Sequence, residues 1–203
     1  MLTRMGLPPK TPLTSNQVSI NLCDSASLWG RLNGKKAQVS SPTDFGELPL
    51  MTITIEPEDP RSPEAQGLLS AFIEEVRKRY DEPPADVGYF DPNLVSVPRS
   101  TFLLVRLEGK AVGCGALVPI EDEVAEIKRM FVVPGERGRG IARKILEELE
   151  RFARDFEYDA IRLETGVKQP ESIALYGKSG FYRVPNFPPF ENDATAVCFE
   201  KRV

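Results

Sequence analysis

The 203-residue chain has no histidine. That absence removes Ser-His-Asp hydrolysis, His-ligated zinc and imidazole acid–base chemistry. Any proton transfer must then use Glu, Asp, Tyr, Lys, Cys or water. Cysteine is scarce as well: Cys23, Cys114 and Cys198 are odd in number and far apart in sequence. They match no zinc or redox spacing, so they read as reduced thiols of a cytoplasmic protein with no metal site. No apolar run approaches membrane-spanning length. The first seventeen residues lack both the apolar core of a signal peptide and the Arg-rich helix of a transit peptide. Excess positive charge is missing too. The formal net charge is -4 and the sequence pI about 5.2, which gives no general attraction to nucleic acid or to an anionic membrane. A local basic patch can still serve one anionic ligand.

With 41% hydrophobic and 28% charged residues, the rest is ordinary for a chain that buries its own core. Residues 1–50 differ from the remainder: Pro, Ser, Gly and Asn are scattered without periodicity, and the segment reads as a disordered or loosely docked extension. Met51 offers an alternative translation start; a real extension covering the domain surface is the other reading. From 51 to 203 the pattern is one mixed α and β domain. Thr52–Glu56 alternates as a strand. Ser62–Tyr80 is helical, with Pro63 in its first turn and Leu68, Phe72 and Val76 on one face. Residues 81–100 read as loop with a short helical turn. Strands are expected over 100–107, 111–120 and 124–133, joined by tight turns. Ile141, Ile145, Leu149, Phe152 and Phe156 mark a helix over 140–156. A strand over 160–164, a helix over 170–178 and strands over 181–184 and 195–201 complete the chain.

The most informative segment runs from Glu126 to Arg143, EIKRMFVVPGERGRGIAR. A strand enters a loop rich in Gly and Arg, and the loop opens an amphipathic helix. The first turn of a helix carries unbonded N–H groups and the positive end of its dipole. Glycine lets an anion approach those amides closely, and Arg137, Arg139 and Arg143 add charge. The combination suits a phosphate or pyrophosphate, although a short glycine motif can also be a plain tight turn. Two other phosphate motifs fail. Ile141-Ala142 stands where a P-loop needs Lys and Ser or Thr, and the dinucleotide fingerprint lacks its third glycine and its parallel sheet.

The segment resembles the GNAT acetyltransferase superfamily. Arg137, Gly140 and Ala142 satisfy its Q/R-x-x-G-x-G/A motif, and Ala174-Leu-Tyr-Gly-Lys-Ser-Gly-Phe181 matches its second signature, A-L-Y-x-x-x-G-F. The two lie in the family's order over about 51–203. The resemblance implies an α+β GNAT fold, a mainly antiparallel sheet with helices on both faces and a V-shaped gap between the strands 124–133 and 160–164. It implies acetyl-CoA as co-substrate and an amine as acceptor, joined in a ternary complex. Backbone groups of Phe131, Val132 and Val133 should meet the pantetheine arm, with Val132 or Val133 N–H polarising the acetyl carbonyl. Gly138, Arg139, Gly140, Ile141, Ala142 and Arg143 should wrap the pyrophosphate beside Arg137. Gln169 stands where many relatives have an Asn on the pantetheine arm, and Ser172 is one turn before Tyr176. A bulge near Phe131 should open the gap.

An amine must lose a proton before attack, and the departing thiolate must gain one. By the resemblance Tyr176 assists the thiolate. Glu126 and Glu164 compete as base, since different branches of the superfamily use a glutamate at each position. Lys128 or Arg129 can meet an acidic group on the acceptor. Cys114 and Cys198, in apolar runs without basic neighbours in sequence, are expected to be buried structural thiols rather than acyl carriers. Phe187, Pro188, Pro189 and Phe190 suggest an apolar wall of the acceptor pocket. A small amine or amino acid is preferred to a protein lysine as acceptor, and an exposed strand edge leaves a homodimer open. Two rivals remain: an acyl-CoA sensor of the same fold, and an interaction module whose loop binds no cofactor.

Overall fold

A computed structural model describes residues 16–20, 51–80 and 90–203. The elements are β1 (Asn16–Ile20), β2 (Met51–Pro57), α1 (Pro63–Arg79), β3 (Thr101–Leu107), β4 (Lys110–Glu121), β5 (Val124–Val132), α2 (Ile141–Asp155), β6 (Ala160–Gly166), α3 (Pro170–Lys178), β7 (Tyr182–Arg183) and β8 (Ala196–Arg202). One sheet holds them in the order β1-β2-β3-β4-β5-β6-β8-β7. Every pairing is antiparallel except β5 with β6.

Within the irregular extension expected over 1–50, β1 is a finding the sequence did not signal. It pairs with β2 from Asn16↔Ile55 to Ile20↔Met51. A five-residue run without strict alternation can still form a strand when a sheet edge offers it a ladder of backbone partners. The expected loop over 81–100 contains a 3-10 turn at Pro92–Val95; 81–89 fall outside the described residues.

The helices form where the sequence marks them. Ser62 caps α1 by accepting the Ala65 N–H, and Pro63 occupies the first turn, where no amide partner is lost. Its Ala65, Leu68 and Leu69 pack on Phe102, Leu104, Cys114, Ala116 and Phe131 on one face of the sheet. On the other face Ile141, Ile145, Leu149 and Phe152 of α2 cover Leu103, Val105, Leu117 and Ile127. Each such fully buried aliphatic side chain contributes about 1.5–3 kcal/mol. The approach of α2 is set by glycine: a Cβ at Gly115 would lie 2.9 Å from Ile145 Cγ2 and 3.1 Å from Leu149 Cδ1.

Two irregularities shape the centre of the sheet. Cys114 pairs with Phe131, but Ala116 pairs with Lys128. Two steps along β4 thus oppose three along β5. The surplus residue is Arg129, at φ 55. Such left-handed backbone costs a non-glycine residue about 1–2 kcal/mol. The Cys114 thiol donates to the Arg129 carbonyl, 3.4 Å away, and so occupies an acceptor freed by the bulge. Second, the parallel ladder runs only from Val124↔Ala160 to Ile127↔Leu163. Beyond it β5 continues with β4, while β6 continues with β8 through Gly166↔Ala196. The two central strands therefore part after Ile127 and Leu163, as the expected gap requires.

Candidate active site

A cleft of about 260 Å³ lies beside the parted end of β5, between α1, the loop before α2, and α3. Its floor includes Met130, Phe131 and Val132, and its far end Gly138, Gly140, Ile141, Ala142 and Arg143. Gly138 and Gly140 both stand at φ 77, left-handed backbone suited to glycine. The first amide of α2 with an intrachain backbone acceptor is Lys144, bonded to the Gly140 carbonyl at 3.1 Å. Among the described residues, the amides from Gly138 to Arg143 have no such acceptor. A row of unbonded amides at the positive end of a fifteen-residue helix is an anion site.

Arg137 is held from two sides. Its Nε donates to the Val132 carbonyl at 2.9 Å and its terminal nitrogen to Glu75 at 2.5 Å. Glu75 also pairs with Arg79 at 2.8 Å, and Arg79 with Glu171. Burial pushes the Glu75 carboxyl up, yet Arg137 and Arg79 outweigh it and hold it below its ordinary range. The chain of charges ties α1 to the loop and to α3 across the cleft.

A second cavity, about 60 Å³, lies around the point where β5 and β6 part. It shares Phe72, Val76, Met130, Gln169, Ser172 and Tyr176 with the larger cleft, and adds Tyr80, Glu126, Lys128, Arg129, Glu164, Thr165 and Phe190. Glu126 is 4% exposed and accepts an ion pair from Lys128 at 2.7 Å. Glu164 is the first β6 residue past the ladder with β5. Tyr176, 6% exposed, packs against Phe181 and Phe199. Burial first, and then the charge of Glu164, push its phenol well above the ordinary value.

The sequence profile described as "Acetyltransferase (GNAT) family" matches residues 65–181, more than half of the chain. The chain belongs to the GNAT family. An IAA acetyltransferase of Azospirillum brasilense is 39% identical over 153 residues, covering 73% of this chain and 97% of its own. The N-acetyltransferase YjgM of Escherichia coli, itself uncharacterized, is 34% identical over 57% of this chain and 75% of its own. A Klebsiella pneumoniae protein assigned as an acyl-CoA N-acyltransferase superposes with a TM-score of 0.62 at 32% identity, over 74% of this chain and 97% of that one. A GNAT acetyltransferase from Elizabethkingia anophelis, solved with acetyl-CoA bound, shares the fold at a TM-score of 0.57 and 20% identity, over 74% and 98% of the two chains.

Against the GNAT expectations, the larger cleft gathers Phe131, Val132, Arg137, Gly138, Gly140, Ile141, Ala142, Arg143, Gln169, Ser172 and Tyr176. Val133 and Arg139 are not among its lining side chains: Arg139 pairs with Glu136 at 3.0 Å. Of the two amides expected to face an acetyl carbonyl, Val133 is already spent, since its N–H donates to the Val112 carbonyl at 2.9 Å. Strand alternation turns the Val132 N–H the other way, to the side where β6 has departed. Glu126 and Glu164, with Tyr176, meet in the smaller cavity. Cys114 and Cys198 are buried, and burial pushes the Cys114 thiol up to about 12. Sequence reading missed the contribution of α1. Phe72 and Val76 signalled only a buried helix face, and nothing local showed that Glu75, Arg79 and Tyr80 would line a cleft. Gly166 carried a faint signal: a Cβ there would fall 1.8 Å from the Tyr80 hydroxyl, so only glycine admits that ring.

Proposed function

We propose that this GNAT protein transfers the acetyl group of acetyl-CoA to a primary amine, with both substrates bound at once, in the cytoplasm. The observation that carries the reading is the parting of β5 from β6. It joins a cleft with unbonded amides to a cavity with two carboxylates and a buried phenol. The pyrophosphate of the donor would take the amides of Gly138–Arg143, and its pantetheine arm would run along Phe131 and Val132. The acetyl-CoA held by the Elizabethkingia relative supports this choice of donor.

In the reaction an N–C bond forms and the thioester C–S bond breaks. The incoming ammonium gives up two protons overall. One reaches solvent through Glu126 or Glu164, either of which can take it directly or through water. The other ends on the departing thiolate. The Val132 N–H donates to the carbonyl oxygen as it gains charge. Tyr176 donates a hydrogen bond to the sulfur. Because its phenol is far less acidic than a thiol near 8.5, it stabilises the thiolate without surrendering its own proton.

The reading is tested with purified protein, acetyl-CoA and a panel of primary amines, following free CoA thiol and confirming the N-acetyl product by mass. Glu126→Gln and Glu164→Gln, assayed separately, assign the base: the true one should lose about 10²–10⁴-fold in kcat. Failure of acetyl-CoA to bind by calorimetry, or binding without turnover of any amine, would refute it.

A further inference from the structure

The end of α1 meets the start of α3. Tyr80 closes α1, is 5% exposed, and sets its hydroxyl against Gly166, the last residue of β6. A Cβ at Gly166 would stand 1.8 Å from that hydroxyl and 3.3 Å from Gln169 Nε2, so glycine is what admits both groups. The Tyr80 oxygen accepts from the Lys168 N–H at 3.1 Å. Arg79 donates from Nη1 to the carbonyl of the same residue at 3.3 Å, and its Nη2 pairs with Glu171 in the first turn of α3. Two consecutive residues thus bind both backbone groups of Lys168 and the helix that follows it. They project from a helix that is itself firmly seated: Ser62 caps α1, and Leu68, Leu69 and Val76 are buried.

By contrast, α3 has little of its own to fix it. Its nine residues are fewer than the roughly 12–15 that an isolated helix needs. No side chain caps its start, and of its residues only Tyr176 is buried. Its far end is anchored to the sheet: Tyr176 packs against Phe181 and Phe199, and Lys201 donates to the Ser179 carbonyl at 2.9 Å. Its near end brings Gln169 and Ser172 to the larger cleft, and there α1 supplies the anchors. We propose that Tyr80 is a positioning residue for the transfer: with Arg79 beside it, it holds the start of α3 and so fixes the angle at which that helix presents the Tyr176 hydroxyl to the departing sulfur. This rests on the acetyl-transfer reading and adds a residue to it. Tyr80 acts through Tyr176 and not on a reacting atom. Tyr176 lies within about two turns of the helix start, so a pivot there moves its hydroxyl. Misplacing a reacting group by about 1 Å can cost about 10²-fold in rate.

The test is a double-mutant cycle in the full chain, with acetyl-CoA and the amine that the wild-type protein turns over best. Tyr80→Phe keeps the ring beside Gly166 and removes only the acceptor of the Lys168 N–H. It should lower kcat about tenfold, with the Kd of acetyl-CoA and the KM of the amine within about threefold. In a Tyr176→Phe background the same change should lower kcat less than about twofold, because two residues that act through one group are not additive. Amide exchange read by mass spectrometry should quicken about tenfold over 168–176 in Tyr80→Phe and stay unchanged over α2. Arg79→Met should likewise lower kcat only where Tyr176 is present, and it carries the cycle if Tyr80→Phe does not fold, which acetyl-CoA binding reports. In the wild-type chain itself the Lys168 amide should exchange slowly, and free exchange there overturns the proposal without any variant. An unchanged kcat, an equal fractional loss in both backgrounds, a rise confined to the amine KM, or unaltered exchange over 168–176 overturns it too. If acetyl-CoA binds and the wild-type chain acetylates no amine, the acetyl-transfer reading falls first and this inference with it.

Discussion

Tyr176 and Cys114 are two ionisable side chains that burial shifts alike and location sets apart. Both are enclosed, and desolvation raises both pKa values. Tyr176 faces the gap between the central strands, so its proton stays available for a hydrogen bond throughout the neutral range. Tyr176→Phe should lower kcat about 10²-fold, with little change in KM for acetyl-CoA. The alkaline limb of the rate profile should not move below about pH 10, because the phenol it removes does not ionise there. Cys114 faces the bulge and has no such outlet. In the unfolded chain its thiol ionises near 9.0, in the folded protein only at about 12. The native state therefore holds the proton more tightly, and this contribution to stability is complete below pH 9 and lost as pH rises toward 12. The slope should approach about 1.4 kcal/mol per pH unit in that window. Thermal melts of Cys114→Ala should show a lower Tm at pH 7 and a flatter decline above pH 9.

Among the elements, the strand–loop–helix unit from β5 to α2 was legible from residue types, because its chemistry is local. Glycines at left-handed positions, arginines beside them and an amphipathic repeat afterwards all fall close together in sequence. The space around Gly140 is open: beyond its chain neighbours, no atom would lie within 4 Å of a Cβ there. Gly140→Ala should therefore cost only the backbone penalty at φ 77, about 1–2 kcal/mol, while weakening acetyl-CoA binding by reorienting the amides at the helix start. Gly166 is the opposite case. Its φ is not in question, but the Tyr80 hydroxyl fills the place of a Cβ. Gly166→Ala should displace Tyr80 and break the bond its oxygen accepts from the Lys168 N–H at 3.1 Å. Overpacking of this kind costs about 1–3 kcal/mol, readable by urea melts. The bulge was expected near Phe131, and its position at Arg129 follows from which residue can be excluded from the α2 core.

At the scale of the whole molecule, α1 closes the larger cleft from the side opposite the glycine loop, and the Arg137–Glu75–Arg79–Glu171 chain holds it there. These pairs are partly exposed, so their net contribution to stability is modest. Their greater effect is to fix Arg137 beside Val132. Glu75→Gln should leave Tm within a few degrees and raise the Kd for acetyl-CoA several-fold, more so at low salt, as calorimetry over a salt series would read. Ligand that binds only the folded chain stabilises it by mass action: at 100 times its Kd, acetyl-CoA should add about 2.7 kcal/mol to unfolding free energy. An unchanged melting temperature under that condition would contradict the assignment of the cleft.

What the sequence determined by itself was everything whose physics is short-ranged. The missing histidine excluded whole chemistries, alternation and 3.6-residue repeats marked the strands and helices, and two spaced motifs named the family. Tertiary structure alone decided which groups meet. Glu126, Glu164 and Tyr176 share a cavity only because β5 and β6 separate after Ile127 and Leu163, and residues of α1 join them from far away in the chain. It also decided that the Val133 amide is spent on Val112, because that depends on the strand that lies alongside. Register, burial and the hand of one backbone turn at Arg129 are properties of packing, which no local pattern of residues encodes.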